Sequence, residues 1–163
     1  MTLLRRLASS QRPGALLKVI YRLPVPLLRA RLGWLLAGRV VLLEHIGRRT
    51  GRCYFTAVEV IGRDRQTGAV TVASGYGRGA DWYRNLRARP AGAMVLGARR
   101  REVDARQLSL DEGADIMVEY ARRHPRAAPR VARMLGYVVD GTDADYAALG
   151  RALRFVRLVP RPR

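Results

Sequence analysis

The chain of 163 residues is long enough for one domain with a packed core and too short for two of comparable size. Hydrophobic residues at 48% and charged residues at 27% exclude a disordered chain, and the longest uncharged apolar stretch near the N-terminus, Leu32 to Gly38, falls far short of the roughly 18 to 20 residues a membrane span needs. Lys and Arg number 31 against 13 Asp and Glu, a formal +18 that attracts polyanions such as nucleic acid, anionic lipid or an acidic small molecule. Lys18 is the one lysine, and an arginine excess of this kind also arises from GC-rich codon usage. The single Cys53 excludes an intrachain disulfide and a cage built of cysteines, which points to a reducing, cytoplasmic home. Arg5 and Arg6 have no continuous apolar run behind them, so the start does not read as a cleaved signal peptide.

In chain order, residues 1–38 read as a basic, amphipathic helical segment and 39–163 as the principal domain. Leu3, Leu4 and Leu7, then Leu16, Leu17, Ile20 and Tyr21, then Leu28, Leu32, Leu35 and Leu36 recur at helical spacing, interrupted at Pro13-Gly14 and Pro24-Val25-Pro26. Up to residue 43 the basic side chains Arg5, Arg6, Arg12, Lys18, Arg22, Arg29, Arg31 and Arg39 meet no acid. Such helices either pack on the domain or lie on an anionic membrane surface, which would make the protein peripheral on the inner face of the cell membrane.

From residue 40 to 107 short β-rich runs alternate with turn residues. Val40–Ile46 is a strand, followed by the turn Gly47-Arg48-Arg49-Thr50-Gly51; Tyr54–Ile61 ends at Gly62-Arg63-Asp64 and pairs with Ala69–Ala73. A short helix, Ala80–Ala88, turns Trp82, Tyr83 and Leu86 inward and stops at Pro90. Ala93–Leu96 and Arg101–Arg106 form a second hairpin across Gly97-Ala98. Ser109 and Glu112 have capping-box spacing for a helix to about His124; a second helix runs from about Ala127 to Gly136, and Thr142 caps a third over Asp143–Leu153. Phe155–Val159 alternates as a closing strand. The fold class is therefore α+β, mainly β: a small closed or split β-barrel of about six antiparallel strands, with N-terminal, inter-hairpin and C-terminal helices.

Three segments could carry chemistry. In Gly47-Arg48-Arg49-Thr50-Gly51-Arg52, two glycines permit a tight turn while three guanidiniums and a hydroxyl can hold phosphate oxygens; the alternative is an ordinary β-turn with solvated arginines. In Ala73-Ser74-Gly75-Tyr76-Gly77-Arg78-Gly79, glycines after a buried strand let the backbone approach a planar ligand, or simply make a flexible loop. In Asp81-Trp82-Tyr83-Arg84-Asn85-Leu86, Trp82 and Leu86 share a helix face and Asn85 can satisfy loop backbone groups. His45 and His124 lie in different segments with no metal-ligand spacing around them, and His45 beside Glu44 reads as a strand-edge residue. No paired carboxylates, Gly-x-Ser-x-Gly elbow or matched partner for Cys53 suggests catalysis by side chains alone, so an enzyme built this way would rely on an organic cofactor.

Taken together, these segments resemble the deazaflavin-dependent nitroreductase family, also described as quinone reductases using reduced coenzyme F-420, over about Leu23 to Pro160. The resemblance implies a split barrel with the deazaflavin in a groove beside the sheet. It implies that Arg48, Arg49, Thr50, Gly51 and Arg52 hold the phosphate and acidic tail, that Ser74 and Gly75 run alongside the ring, and that Asp81, Trp82 and Asn85 close the site. It implies transfer of a hydride to a small conjugated acceptor, a quinone or a nitroaromatic; by their own positions, Ser74 and Tyr76 at the glycine loop and Tyr137 at the helical cover are candidate proton donors, and the scattered histidines give no metal site. Where the family continues its turn with Pro-Arg this chain has Cys53-Tyr54, one tail-binding cation fewer, with Arg52 or Arg78 as the compensating cation. The stretch His124–Arg130 lacks the tyrosines that face the acceptor in the best-known branch, so nitroimidazole reduction is not implied. Alternatives are the same barrel binding FMN, and a non-enzymatic basic protein that carries cofactor or binds nucleic acid; aromatic residues, at 7%, are sparse for nucleic-acid stacking.

Overall fold

The computed structural model describes residues 5–6, 40–74 and 77–162. Six strands close into an antiparallel barrel: β2 (Val40–Ile46), β3 (Cys53–Arg63), β4 (Val70–Ser74), β5 (Ala91–Leu96), β6 (Arg99–Gln107) and β8 (Arg154–Pro160), in the spatial order β2-β3-β4-β8-β6-β5. Among the described residues four α-helices accompany it: α1 (Asp81–Ala88), α2 (Leu110–Arg123), α3 (Ala128–Met134) and α4 (Asp143–Ala152). A two-residue strand β1 (Arg5–Arg6) pairs antiparallel with β7 (Tyr137–Val138) outside the barrel. The barrel and both hairpins follow the expected pattern. The first of the helices expected before residue 39 is overturned at Arg5–Arg6, whose backbone is drawn into pairing with β7 instead; the later ones, and the division of the chain at 38, lie outside the described residues.

Strand alternation explains the closure. Val41 and Leu43 of β2, Val58 of β3, Val70 and Val72 of β4, Met94 of β5, Val103 of β6, and Val156 and Leu158 of β8 point to one interior, which Trp82, Tyr83 and Leu86 of α1 join. β2 is hydrogen-bonded on both sides, Leu42 standing opposite Ala57 of β3 and Val95 of β5. Where β5 passes β2, a Cβ on Gly92 would come 2.4 Å from the Glu44 carbonyl oxygen, so the close approach needs glycine. β3 runs two residues past the expected Ile61. A register shift between Val60 and Gly62 lets Gly62 and Arg63 continue the ladder, and the turn moves to 64–68, where Asp64 accepts from the Gln66 and Thr67 amides and the Thr67 hydroxyl.

The second core lies under the C-terminal helices, from Met117 and Ala121 of α2, Ala128 and Ala132 of α3, Tyr146 and Leu149 of α4, and Phe155 of β8. α2 begins with the expected capping box: the Glu112 amide donates to Ser109 Oγ at 3.1 Å and the Ser109 amide to Glu112 Oε2 at 2.8 Å. Thr142 caps α4 by accepting from the Asp145 amide at 3.2 Å. α2 and α4 touch backbone to backbone, since a Cβ on Gly150 would lie 2.3 Å from the Gly113 carbonyl oxygen.

Candidate active site

The turn between β2 and β3 is built by its own hydrogen bonds. Register pairs Ile46 with Cys53; the Gly47 amide donates to the Arg52 carbonyl and the Gly51 amide to the Gly47 carbonyl, each at 2.8 Å. Gly51 takes φ of +66°, a left-handed conformation that glycine adopts without a Cβ penalty. The Tyr54 ring lies over Gly47, where a Cβ would come 2.6 Å from both Tyr54 Cε2 and Thr50 Oγ1. Thr50 Oγ1 is 3.0 Å from the Tyr54 hydroxyl and accepts from the Arg52 amide at 3.3 Å, so this hydroxyl already braces the turn internally.

A second set of bonds ties the turn to the start of α1. Asn85 Oδ1 accepts from the Arg48 amide at 3.1 Å and from Arg48 Nη1 at 2.9 Å, while the same Nη1 donates to Asp81 Oδ1 at 3.0 Å. The Arg48 side chain keeps only 24% exposure although Asp81 keeps 79%, so the carboxamide, more than the solvent-screened ion pair, fixes the guanidinium. Behind Asn85, its Nδ2 donates to His45 Nδ1 at 3.0 Å, and His45 Nε2 is 3.1 Å from Thr56 Oγ1. His45 also lies near-parallel to Tyr54, with ring centroids 6.1 Å apart. Arg49 and Arg52 are exposed and pair with no carboxylate among the described residues.

His45 is not a strand-edge residue. It is buried, in a strand bonded on both sides, opposite Tyr54 of β3 and Gly92 of β5. Burial lowers its pKa from 6.5 to about 4, opposed by the Asp81 carboxylate, so the imidazole is neutral at pH 7. Its parity with Val41 and Leu43 on the inward face of β2 was the available signal, and the charged neighbour Glu44 obscured it. The order of donors then follows from chemistry alone. Arg48 presents only N–H groups, so Asn85 must turn Oδ1 to it and Nδ2 to His45; Nδ1 must be bare, and the imidazole proton sits on Nε2 and is donated to Thr56.

The other sequence candidates scatter more. Ser74 is buried at the end of β4, in register with Arg154. Gly75 and Tyr76 lie outside the described residues. Trp82 is buried in the barrel core, edge-on to Tyr83, whose hydroxyl donates to Gln107 at 3.0 Å. Tyr137 stands in β7 and packs against the second core. The structure thus joins Arg48, Asp81 and Asn85, adds His45, Tyr54 and Thr56 to them, and keeps Tyr137 with the C-terminal helices.

Solved structures share this barrel. A structure of an F420-H2-dependent reductase aligns with a TM-score of 0.50 at 16% identity, covering 74% of this chain and 93% of the other. A conserved hypothetical protein from Mycobacterium tuberculosis gives 0.53 at 17%, covering 82% and 80%. A pyridoxamine 5'-phosphate oxidase-related, FMN-binding protein from Nostoc punctiforme gives 0.51 at 13%, covering 86% and 80%. At such identities the likeness concerns the fold, a barrel shared by proteins described as an F420-H2-dependent reductase and as FMN-binding. No curated protein matches the sequence. The sequence itself goes further: residues 26–140 match the F420H(2)-dependent quinone reductase family, and the chain belongs to it. It is accordingly an oxidoreductase whose cofactor is coenzyme F420, as the motifs around Arg48, Ser74 and Asn85 imply.

Proposed function

We propose that the β2–β3 turn holds the phosphate and acidic tail of the deazaflavin, so that the chain would present the reduced ring to a small conjugated acceptor of the quinone or nitroaromatic type. The observation that carries this reading is the pair Arg49 and Arg52, exposed, free of carboxylate partners among the described residues, and displayed on a turn braced by the Gly47, Gly51 and Thr50 bonds within it and by Arg48 bonding to α1. Two unpaired guanidiniums beside a glycine turn are the donor set that phosphate and carboxylate oxygens require. Arg48 adds its charge and the N–H groups left after Nη1 is committed to Asn85 and Asp81. Thr50 and Gly51 shape the turn, and Asn85 and Asp81 anchor it to α1. The ring is assigned to the end of β4, where Ser74 stands, with Trp82 held in the barrel core.

When bound, the deazaflavin supplies hydride chemistry, having carbon where a flavin has its reactive nitrogen. The protein's own work is then to hold the tail and orient the ring face toward the acceptor. Solvent supplies the proton, or the hydroxyl of Ser74 or Tyr76 does. Residues 1–38, basic and without acids, suit contact with the anionic membrane in which quinones reside, and flotation with anionic liposomes, with and without residues 1–22, tests that part.

The central test is a fluorescence titration with oxidised coenzyme F-420. Wild type binds, and Arg49→Ala/Arg52→Ala weakens binding by about tenfold or more while the thermal midpoint stays put. Unchanged affinity in that double variant refutes the assignment of the turn.

A further inference from the structure

We propose that His45 is a positioning residue for the anion-holding turn: its bare Nδ1 fixes the carboxamide of Asn85, which fixes Arg48, which sets the turn that displays Arg49 and Arg52. The inference rests on the assignment of that turn to the cofactor tail.

The geometry leaves little choice at each link. Asn85 has one acceptor and one donor end, and Arg48 takes the acceptor end twice, through its amide and through Nη1. Swinging the carboxamide by half a turn would set its NH2 against two N–H donors, an arrangement of like dipoles in a buried place. The ring nitrogen facing Nδ2 decides which orientation is favourable. A lone pair on Nδ1 accepts from Nδ2 and holds Oδ1 toward Arg48, whereas a proton there would repel Nδ2 and favour the reversed amide. With Nδ1 bare the proton sits on Nε2, and Thr56 Oγ1, 3.1 Å away, accepts the hydrogen bond from it. The Tyr54 ring runs near-parallel to the imidazole on its way to Thr50, so the same strand pair supports the turn from both flanks.

The charged and titratable groups facing His45 are few. Asp81 on α1 acts on it through space, Tyr54 lies beside its ring on β3, and Arg48 stands beyond Asn85. The carboxylate favours protonation and burial opposes it, with burial the larger effect. The lone pair on Nδ1 is therefore available throughout the neutral range.

Three measurements test the role. In the wild-type protein, imidazole 15N spectra at pH 7 should show His45 as the neutral Nε2–H form; a proton on Nδ1, or an imidazolium, overturns the inference without any variant. Second, His45→Leu fills the site with an apolar side chain, while His45→Asn keeps an acceptor close to the position of Nδ1 but leaves a gap and disfavours the strand. Dissociation constants for oxidised coenzyme F-420 should rank wild type, then His45→Asn, then His45→Leu weakest by about tenfold. A residue that merely filled space would rank the two variants the other way, as thermal midpoints are expected to do, and that ranking of affinities, or equal affinities, overturns the positioning role. Third, Arg49→Ala/Arg52→Ala separates the two readings. Weaker binding in this double variant with none in His45→Leu refutes the role of His45 alone; unchanged binding in it refutes the turn assignment and the inference with it.

Discussion

A neutral imidazole in a core makes stability depend on pH in a definite direction. The folded pKa of His45 lies at about 4 and its unfolded value near 6.5, so above pH 6.5 neither state holds the proton and the contribution is flat. As pH falls from 6.5 toward 4, the unfolded chain takes up a proton that the folded one refuses, and stability declines. The full loss is on the order of 3 kcal/mol. Urea denaturation at stepped pH values should show this decline in wild type and a shallower one in His45→Asn; matching slopes would remove His45 as its source. At Gly47 the expected outcome is different: Gly47→Ala puts a methyl where Tyr54 and Thr50 now sit, both exposed side chains that can swing away. Affinity for the coenzyme should then fall several-fold, roughly 1 kcal/mol, with little change in melting temperature, and calorimetric titration beside a thermal scan checks both. Residue roles were only half legible beforehand. The turn announced itself through glycine and arginine, but Arg48 is held by Asn85, 37 positions along the chain, and only folding brings them together.

Among the elements, agreement is closest where local chemistry decides. Ser109 and Glu112 start α2 as their spacing requires, and Thr142 starts α4, because a cap is satisfied within four residues. Ser109→Ala should cost about 1 kcal/mol, read from chemical denaturation. What could not be read locally is what depends on a partner. The extension of β3 through Gly62 and Arg63 is set by its bonding to Thr71 and Val70 of β4, and β7 exists only through its pairing with β1. The meeting of α2 and α4 is of the same kind. Gly113 and Gly150 look like ordinary helix-weakening glycines in the sequence, yet each stands against the other's backbone. Gly150→Ala must push Gly113 and Ala114 away, since a backbone cannot rotate aside as a side chain can. The expected cost is about 1 to 3 kcal/mol, lowering the melting temperature by several degrees while coenzyme affinity measured at low temperature is retained.

For the whole molecule, the formal charge of +18 and the anionic tail of the coenzyme make binding sensitive to ionic strength. The dissociation constant should rise steadily with added salt, and the slope should flatten in Arg49→Ala/Arg52→Ala; a slope equal to wild type would mean that the general surface charge, not this turn, attracts the ligand. Family membership across residues 26–140 accounts for the chemistry, and the closed barrel accounts for how the turn is presented. β2 carries His45 and leads directly into Gly47, and it is clamped by β3 on one flank and β5 on the other.

That closure has a consequence beyond the site. Within the barrel, a ladder with no first and last strand offers no template on which a neighbouring chain could polymerise, and no seam at which a single strand could peel away by itself; among the described residues, open edges belong to the short pair β1 and β7. Encounters with the barrel wall therefore fall to its side chains and loops. Substitutions there leave the cylinder beneath closed.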